Sequence, residues 1–212
     1  MHFLYSLLMG AAFALLLPYF LLRGPRKYLH NLGERLGQVP REARAGVAGE
    51  LRKAIWVHAV SVGEVLAAIT LARALGERFP QYRVVVSTTT QTGQQLARDR
   101  LDAGTPVFYF PLDFAFAVRR VLRAVQPALV VIAETEIWPN FLRELRRAGV
   151  PAAFVNGRIS ERSARRYRRV ARFDWWFVRE VLNDAQLWLM QSEEDAARLR
   201  ALGAEEERIA VL

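Results

Sequence analysis

The chain has 212 residues, a hydrophobic content of 52% and a formal charge of +9 at neutral pH, so it carries enough apolar material for a folded core and is not a disordered tail. It contains no cysteine, which excludes disulfide frameworks, thiolate nucleophiles and cysteine-ligated zinc. All but two of the 30 basic residues are arginine, and such a surface favours phosphate-bearing partners, whether nucleic acid, anionic lipid head groups or a phosphorylated substrate.

The first predicted element is an apolar helix at the N-terminus. Residues 3–22 carry no charged side chain, and as a helix they would be roughly 30 Å long, close to the thickness of one bilayer core. Basic residues follow directly from Arg23, which by the positive-inside tendency places the rest of the chain on the cytoplasmic side. We therefore predict that residues 1–23 anchor the chain by spanning the membrane once or, as Pro18 favours, by lying in its interface. A cleaved signal peptide is disfavoured, because its basic leading segment and small-residue cleavage site are missing.

Residues 24–52 are rich in arginine, glycine and proline and lack a sustained apolar period, so they predict a basic connector with one short helix. From residue 53 to residue 212, short β-rich runs alternate with stretches of helical period, which predicts an α/β domain with a Rossmann-like parallel sheet and flanking helices. Functional residues of such sheets lie beyond the carboxyl ends of the strands. The predicted strands are residues 54–59, 83–87, 107–110, 128–133, 151–155, 186–190 and 209–212, and the predicted helices are residues 64–79, 92–101, 115–125, 141–148 and 193–202.

The first predicted strand leads into Ser61, Gly63 and Glu64 at the start of an apolar helix. Ser61 can cap free amides there, and the helix dipole favours an ionised Glu64. An ionised carboxylate in a cleft can accept a proton from a sugar hydroxyl as a general base. The same residues are equally expected of an ordinary capped helix, so it is their position beyond a strand end that favours catalysis.

The fourth predicted strand is followed by Glu134, Glu136, Trp138, Pro139 and Asn140, which is the strongest local signal in the chain. Strands disfavour glutamate, and a charge beside a buried sheet is costly. Either glutamate alone could equally pair with an arginine to hold two loops. Both together at a strand end favour a site.

Polar and basic segments follow the second and fifth predicted strands. Thr92 and Gly93 lie near a helix start, where backbone amides could hold an anion, although a helix cap is the expected role of Thr92. A P-loop lysine and a GxGxxG motif are both missing, which disfavours nucleotide binding by this half. Asn156 and Arg158 follow the fifth strand and begin a run of seven arginines between positions 158 and 172. A solvated basic face is the default interpretation of this run, and a site for phosphate or anionic lipid is the functional one.

Two further features have structural predictions. The aromatic segment at residues 173–177 is predicted to enter the core, with a membrane-interface belt as the alternative. With three histidines in the chain, a histidine metal cluster is not expected, and His58 is predicted to be a packed strand residue.

These stretches, in this order, resemble the N-terminal half of bacterial 3-deoxy-D-manno-oct-2-ulosonic acid (Kdo) transferases of lipopolysaccharide synthesis. The resemblance implies a glycosyltransferase B-type fold in which two Rossmann-like domains face each other, the N-terminal one binding the lipid A precursor (lipid IVA) and the C-terminal one binding CMP-Kdo. It further implies inverting transfer without a metal or cofactor. The segments that carry it, besides the apolar start, are residues 33–35, 58–64, 90–93, 134–140, 156–160 and 191–195.

By this resemblance, Glu64 takes the part of the general base, and Glu134 that of a supporting acidic residue. The expected partners are the lipid A precursor, an anionic membrane surface and CMP-Kdo, the last through a C-terminal donor domain that this chain does not contain. The expected location is the inner membrane, with the globular domain in the cytoplasm. The alternative is a truncated, non-catalytic domain that holds lipid A or a partner, whereas nucleic acid is not expected because a DNA-reading helix motif is missing. The residues expected to contact the acceptor are Ser61, Gly63, Thr92, Gly93, Glu136, Asn156 and Arg158.

Overall fold

A computed structural model describes residues 1–23, 31–45 and 52–212. Of the predicted connector, residues 24–30 and 46–51 therefore lie outside the described residues. The described part of the connector contains the short helix α2 (Leu32–Arg35) and a 3-10 turn (Arg41–Ala43).

The predicted N-terminal helix is present as α1 (His2–Arg23). Its segment His2–Tyr19 has a mean hydropathy of 1.5 and is long and apolar enough to cross a membrane. Most of its large apolar side chains are exposed, with Phe3 at 80% and Leu15 at 79%. An apolar surface of this size is typical of a helix that contacts lipid or a partner.

The predicted parallel sheet is confirmed. Each predicted β-rich run forms one strand, because strands covered on both faces are nearly continuous apolar runs. The strands are β1 (Ala54–Ala59), β2 (Arg83–Thr88), β3 (Val107–Tyr109), β4 (Pro127–Ala133), β5 (Ala152–Gly157), β6 (Leu187–Met190) and β7 (Ile209–Val211). They lie in the order β3-β2-β1-β4-β5-β6-β7, and every neighbouring pair is parallel.

Helices cover both faces of this sheet. The first two helices after β1 pack on the face that carries Val57 and Val86, and the later helices pack on the face that carries Trp56, Phe154 and Trp188. The helices are α3 (Val62–Arg78), α4 (Gln91–Arg100), α5 (Ala115–Val125), α6 (Pro139–Arg147), α7 (Glu161–Phe173), α8 (Trp175–Asn183) and α9 (Glu193–Arg200).

The strand order reverses between β1 and β4, which are neighbours in the sheet. The loop after β1 leads to α3 on one face, and the loop after β4 leads to α6 on the other. The two loops therefore border the position, at the carboxyl ends of the strands, where doubly wound folds bind their ligands, and we call this position the crevice.

A buried carboxylate joins α1 to the sheet domain. Asp113 is 2% exposed, and it accepts hydrogen bonds from the backbone N–H groups of Asn140 (3.1 Å) and Phe141 (2.7 Å) and from the hydroxyl of Tyr5 (2.8 Å). The N-cap residue of α6, Trp138, makes no side-chain cap of its own, so Asp113 caps α6 from a distant part of the chain. The start of α1 and the start of α6 are thereby held at one point.

The prediction that residues 173–177 enter the core is wrong for most of the segment. Phe173 is 93% exposed and Trp176 is 74% exposed, while Phe177 is partly buried against the core. The reason is that α7 ends at Phe173 and the Asp174 side chain caps α8 by accepting a hydrogen bond from the Phe177 N–H (2.8 Å). The turn between the two helices directs Phe173 and Trp176 outward, and we call these two side chains the aromatic elbow.

Candidate functional site

The first side of the crevice is the start of α3. Ser61 Oγ accepts a hydrogen bond from the Glu64 N–H (3.2 Å), and the Glu64 carboxylate accepts from the N–H groups of Ser61 (3.1 Å) and Val60 (2.8 Å). The capping role that the sequence left open is therefore present. It does not exclude chemistry, since a carboxylate has about four lone-pair positions. The two hydrogen bonds from backbone N–H groups instead fix the direction of the Glu64 carboxylate.

The second side of the crevice is the loop between β4 and α6, which carries Glu134 and Glu136. Burial, and then the charge of Glu64, raise the pKa of both carboxyl groups. The Arg158 guanidinium acts in the opposite direction on the pKa of Glu134. The structure thus brings together the glutamates of two separate motifs. Such groups with raised pKa values in a cleft are typical of functional sites.

The backbone of Glu134 is held in an unusual conformation. Its φ of 59° lies in the left-handed region, which a residue other than glycine adopts at a cost of order 1–3 kcal/mol. Its N–H donates to the carbonyl of Val155 on β5 (2.8 Å). The neighbouring Thr135 hydroxyl donates to the Arg158 carbonyl (2.7 Å) and accepts from the Arg158 N–H (2.8 Å). These bonds fix the loop against the end of β5 and bring Arg158 beside Glu134.

The end of β5 is itself held by the segment after β6. Asn156, with a φ of 58°, accepts a hydrogen bond at its side-chain oxygen from Gln191 Nε2 (2.8 Å). Asp195 accepts from the Ile159 N–H (2.9 Å). Asn156 and Arg158 are both exposed, so they are available to a ligand at the rim of the crevice.

The loop after β2 differs from its prediction in one respect. The cap of α4 is Thr90, whose Oγ accepts from the Gly93 N–H (3.1 Å), so the expected cap role of Thr92 is wrong. The helix begins one residue earlier than predicted, and the cap moves with it. Thr92 is exposed, whereas Gly93 is buried, and a Cβ on Gly93 would lie 2.9 Å from Thr90 Oγ and 3.3 Å from Val65. The lack of space for a side chain therefore explains why position 93 is glycine. Contact of Thr92 or Gly93 with the acceptor stays a prediction.

Tyr167 on α7 was not singled out by the sequence. Burial, and then the charge of Glu136, raise the pKa of its hydroxyl, which places Tyr167 beside the carboxylates. The signal that could have found it is the stripe of Ala164, Tyr167 and Ala171, whose spacing of three and four residues puts them on one face of an arginine-rich helix.

His58 is a packed strand residue, as predicted. It is fully buried, stacks on Phe110 with ring centroids 3.9 Å apart, and places Nδ1 2.9 Å from Ser87 Oγ. Burial lowers the pKa of His58 to about 3, so the ring is neutral at physiological pH. Across residues 1–23, 31–45 and 52–212, no three acidic or histidine side chains are grouped so as to hold a metal ion.

Glu136→Gln is expected to stabilise the fold at pH 7 by on the order of 1 kcal/mol, as removal of an unfavourable active-site charge commonly does. The pKa of Glu136 is raised above its ordinary value of 4.5, so ionisation costs stability as pH rises through the folded-state pKa. Below the unfolded-state pKa, Glu136 is protonated in both the folded and the unfolded protein. The difference in the free energy of unfolding between the variant and the parent should then vanish.

Thermal unfolding of the Glu136→Gln variant and the parent at pH 7 and near pH 4 measures this difference. Glu77→Gln, at an exposed position on α3, is the control and should change neither curve. An equal stability gain at both pH values would contradict the electrostatic explanation.

Comparisons with known proteins identify the family of this chain. A family model described as 3-Deoxy-D-manno-octulosonic-acid transferase (kdotransferase) matches residues 30–212. The 3-deoxy-D-manno-octulosonic acid transferase of Chlamydophila psittaci is 32% identical over 213 residues, covering 99% of this chain and 47% of that protein. The one of Bordetella pertussis is 36% identical over 176 residues, covering 76% and 39% respectively. The chain thus spans less than half the length of these relatives.

A likeness to solved structures supports the fold alone. The S. aureus MnaA–UDP structure superposes with a TM-score of 0.51 at 17% identity, covering 75% of this chain and 44% of that one. At this identity the shared feature is the Rossmann-like arrangement of strands and helices.

Proposed function

Since this chain belongs to the 3-deoxy-D-manno-octulosonic-acid transferase family, we propose that it is the acceptor-binding domain of a glycosyltransferase that moves Kdo from CMP-Kdo to lipid IVA with inversion. The observation that carries the proposal is the convergence of Glu64, Glu134 and Glu136 where the strand order reverses. CMP-Kdo would bind a second domain, and no cofactor or metal is needed.

The proposed reaction is a single displacement. Glu64 takes the proton of a lipid IVA hydroxyl, the hydroxyl oxygen forms a bond to the anomeric carbon of Kdo, and the bond from that carbon to the CMP phosphate oxygen breaks. The acceptor oxygen attacks the anomeric carbon from the side opposite the CMP leaving group, which the facing domain would hold, and this gives inversion. Glu134 acts as the supporting carboxylate beside Glu64.

The acceptor carries phosphate, and the rim of the crevice carries the matching charge. Arg158 lies beside Glu134, and α7 adds further exposed guanidinium groups on its outer face. These exposed side chains are Arg162, Arg165, Arg166, Arg168, Arg169 and Arg172. We assign them to lipid phosphates and to the anionic membrane surface.

The N-terminal helix favours the interfacial form of membrane attachment. Its first residues are held on the globular domain: His2 is 4% exposed, Tyr5 bonds to Asp113, and the Ser6 hydroxyl donates to Asn140 Oδ1 (3.1 Å). Further along, Phe13 packs against Phe114 with ring centroids 5.6 Å apart. A helix fixed along the domain in this way fits a helix lying in the membrane plane better than one that leaves the domain to cross the bilayer. We propose the inner membrane as the location.

The aromatic elbow is expected to be a second membrane contact. Trp176 directly precedes Phe177, whose ring lies 5.0 Å from His2 of α1, so the aromatic elbow is next to the start of the anchor helix. Replacing Phe173 and Trp176 together by serine should weaken binding to anionic vesicles by about thirtyfold or more, because burying each of the two rings in the interface contributes on the order of 1 kcal/mol or more. Vesicle co-sedimentation measures this loss. Phe79→Ser, at a ring that is 39% exposed at the end of α3, is the matched control, and equal losses in both variants would refute the assignment.

Gly63 provides a test of acceptor approach that does not disturb the fold. A Cβ at Gly63 would meet only Ser61 Oγ, at 4.0 Å, and alanine is favoured over glycine in a helix by ~1 kcal/mol. Gly63→Ala should therefore keep or raise the melting temperature and yet lower kcat/KM tenfold or more, since the added methyl group would occupy open space at the start of α3, where we propose that the acceptor approaches Glu64. Gly76→Ala, where a Cβ would lie 3.7 Å from Val84, is the control on the same helix. Full activity of Gly63→Ala would show that the acceptor does not pass over the start of α3.

The proposed function is tested by radiolabelled Kdo transfer from CMP-Kdo to lipid IVA. The chain is assayed alone and together with a separately expressed donor domain from the same enzyme. Transfer that requires both halves supports the acceptor role. Binding of lipid IVA without transfer by the reconstituted pair would favour the non-catalytic alternative, and absence of binding would refute the acceptor role.

A further inference from the structure

An apolar groove of about 500 Å³ lies beside the carboxylates. It is bounded by α1, by the loop that enters α6, and by the pair α7 and α8. We propose, on the basis of the acceptor role above, that this groove binds a fatty acyl chain of the phosphorylated glycolipid acceptor. The side chains that define the apolar groove are Tyr5, Ile137, Trp138, Tyr167, Val170 and Phe177.

The groove and the reaction site share a wall. Ile137 and Trp138 directly follow Glu136 in the chain and line the groove. Tyr167 also lines the groove, and it is close enough to Glu136 for that charge to raise the pKa of its hydroxyl. A glycolipid whose hydroxyl is at the carboxylates can therefore place an attached chain in the groove without a bridging segment.

The chemistry of the lining selects an alkyl chain. Aliphatic and aromatic side chains from three helices form most of the wall, and a sugar placed there would leave its hydroxyl groups without hydrogen-bond partners. An acyl chain has no polar group to desolvate and gains free energy from every methylene that it buries.

The groove also borders the proposed membrane anchor. Tyr5 belongs to α1, and Phe177 contacts His2 of the same helix. An acyl chain would pass from the bilayer into the groove along α1 and remain in an apolar environment throughout.

Charge at the rim distinguishes a phosphorylated lipid from a neutral one. Arg166 lines the groove and is exposed. A phosphorylated head group above the groove would meet this guanidinium group while its chain is buried. An apolar peptide would fill the groove but would not account for this charge.

The test uses a chain-length series. Phosphorylated glucosamine disaccharides with acyl chains of four, six, eight and ten carbons are titrated into the detergent-solubilised chain by calorimetry. Affinity is expected to rise by about fourfold per methylene, which corresponds to ~0.8 kcal/mol, until the groove is full. The deacylated disaccharide phosphate should bind weakly through the arginines alone.

Val170→Trp tests the location of the chain. Val170 is 44% exposed, so the larger side chain fits without entering the core while its ring fills the groove. This variant should bind the ten-carbon compound at least tenfold more weakly and the deacylated compound equally well. Val211→Trp, at a valine that is 41% exposed on β7, is the matched control. The probes partition equally into detergent in the samples of the parent and the two variants. Differences in affinity between these samples therefore report binding in the groove.

The outcomes separate the two proposals. If the chain-length dependence is the same in Val170→Trp and the parent, or the parent shows none, the acyl assignment is wrong while the acceptor role stands. If neither the acylated nor the deacylated compound binds the parent, the acceptor role is wrong and the acyl assignment with it. A dependence lost only in Val170→Trp supports both.

Discussion

Glu64→Gln is expected to lower kcat for Kdo transfer by about 10²- to 10⁴-fold, the usual contribution of a positioned general base. Glutamine keeps the length of the side chain and one oxygen that accepts from a backbone N–H, as it does in capping boxes. Glu64 uses both carboxylate oxygens, on the N–H groups of Ser61 and Val60, so the variant loses one of these bonds and should be less stable by about 1 kcal/mol. The start of α3 should still form. The amide oxygen, however, is too weakly basic to take a proton from a sugar hydroxyl.

The measurement is initial velocity with the donor half present, together with the affinity for lipid IVA. Loss of kcat with unchanged lipid affinity is the signature of a base that acts in the transition state. Glu77→Gln, near the far end of the same helix, should have parental activity. If Glu64→Gln retains the full rate, Glu64 is only a helix cap and the proposed mechanism is wrong.

Asp113→Ala is expected to lower the free energy of unfolding by about 3 kcal/mol, because it leaves buried donors without an acceptor. The affected donors are the Asn140 and Phe141 N–H groups at the start of α6 and the Tyr5 hydroxyl of α1. Tyr5→Phe removes only the last of these bonds, and should cost about 1 kcal/mol.

Denaturant unfolding measures both losses, and limited proteolysis of α1 separates them. Tyr5→Phe should increase cleavage within α1 and leave the sheet domain intact, whereas Asp113→Ala should affect both. Asp102→Ala is the control: its side chain is 71% exposed and pairs with the exposed Arg73, so the change should stay within about 0.5 kcal/mol. Equal stability of the Asp113→Ala and Asp102→Ala variants would show that the Asp113 hydrogen bonds do not stabilise the contact between α1 and α6.

The helix and strand pattern could be read from the sequence because the signals are local. All seven predicted strands are present, and β1 has the predicted bounds. The aromatic elbow was mispredicted because aromatic residues usually enter cores, and the segment has no periodicity that reveals its direction. The direction depends on where α7 ends and on the Asp174 cap of α8, whose partner lies three residues away at the start of the next helix.

The sequence by itself determined the α/β alternation, the apolar N-terminal helix, and the placement of Glu64, Glu134 and Glu136 just beyond strand ends. Each of these follows from side-chain periodicity and from neighbours within a few residues. Only the tertiary structure decided that β1 lies beside β4, which brings the three glutamates into one crevice. It also decided that Tyr5 meets Asp113, 108 positions away, and that Tyr167 borders the carboxylates. Such contacts depend on strand order and helix packing, because these bring together residues that are far apart in the chain.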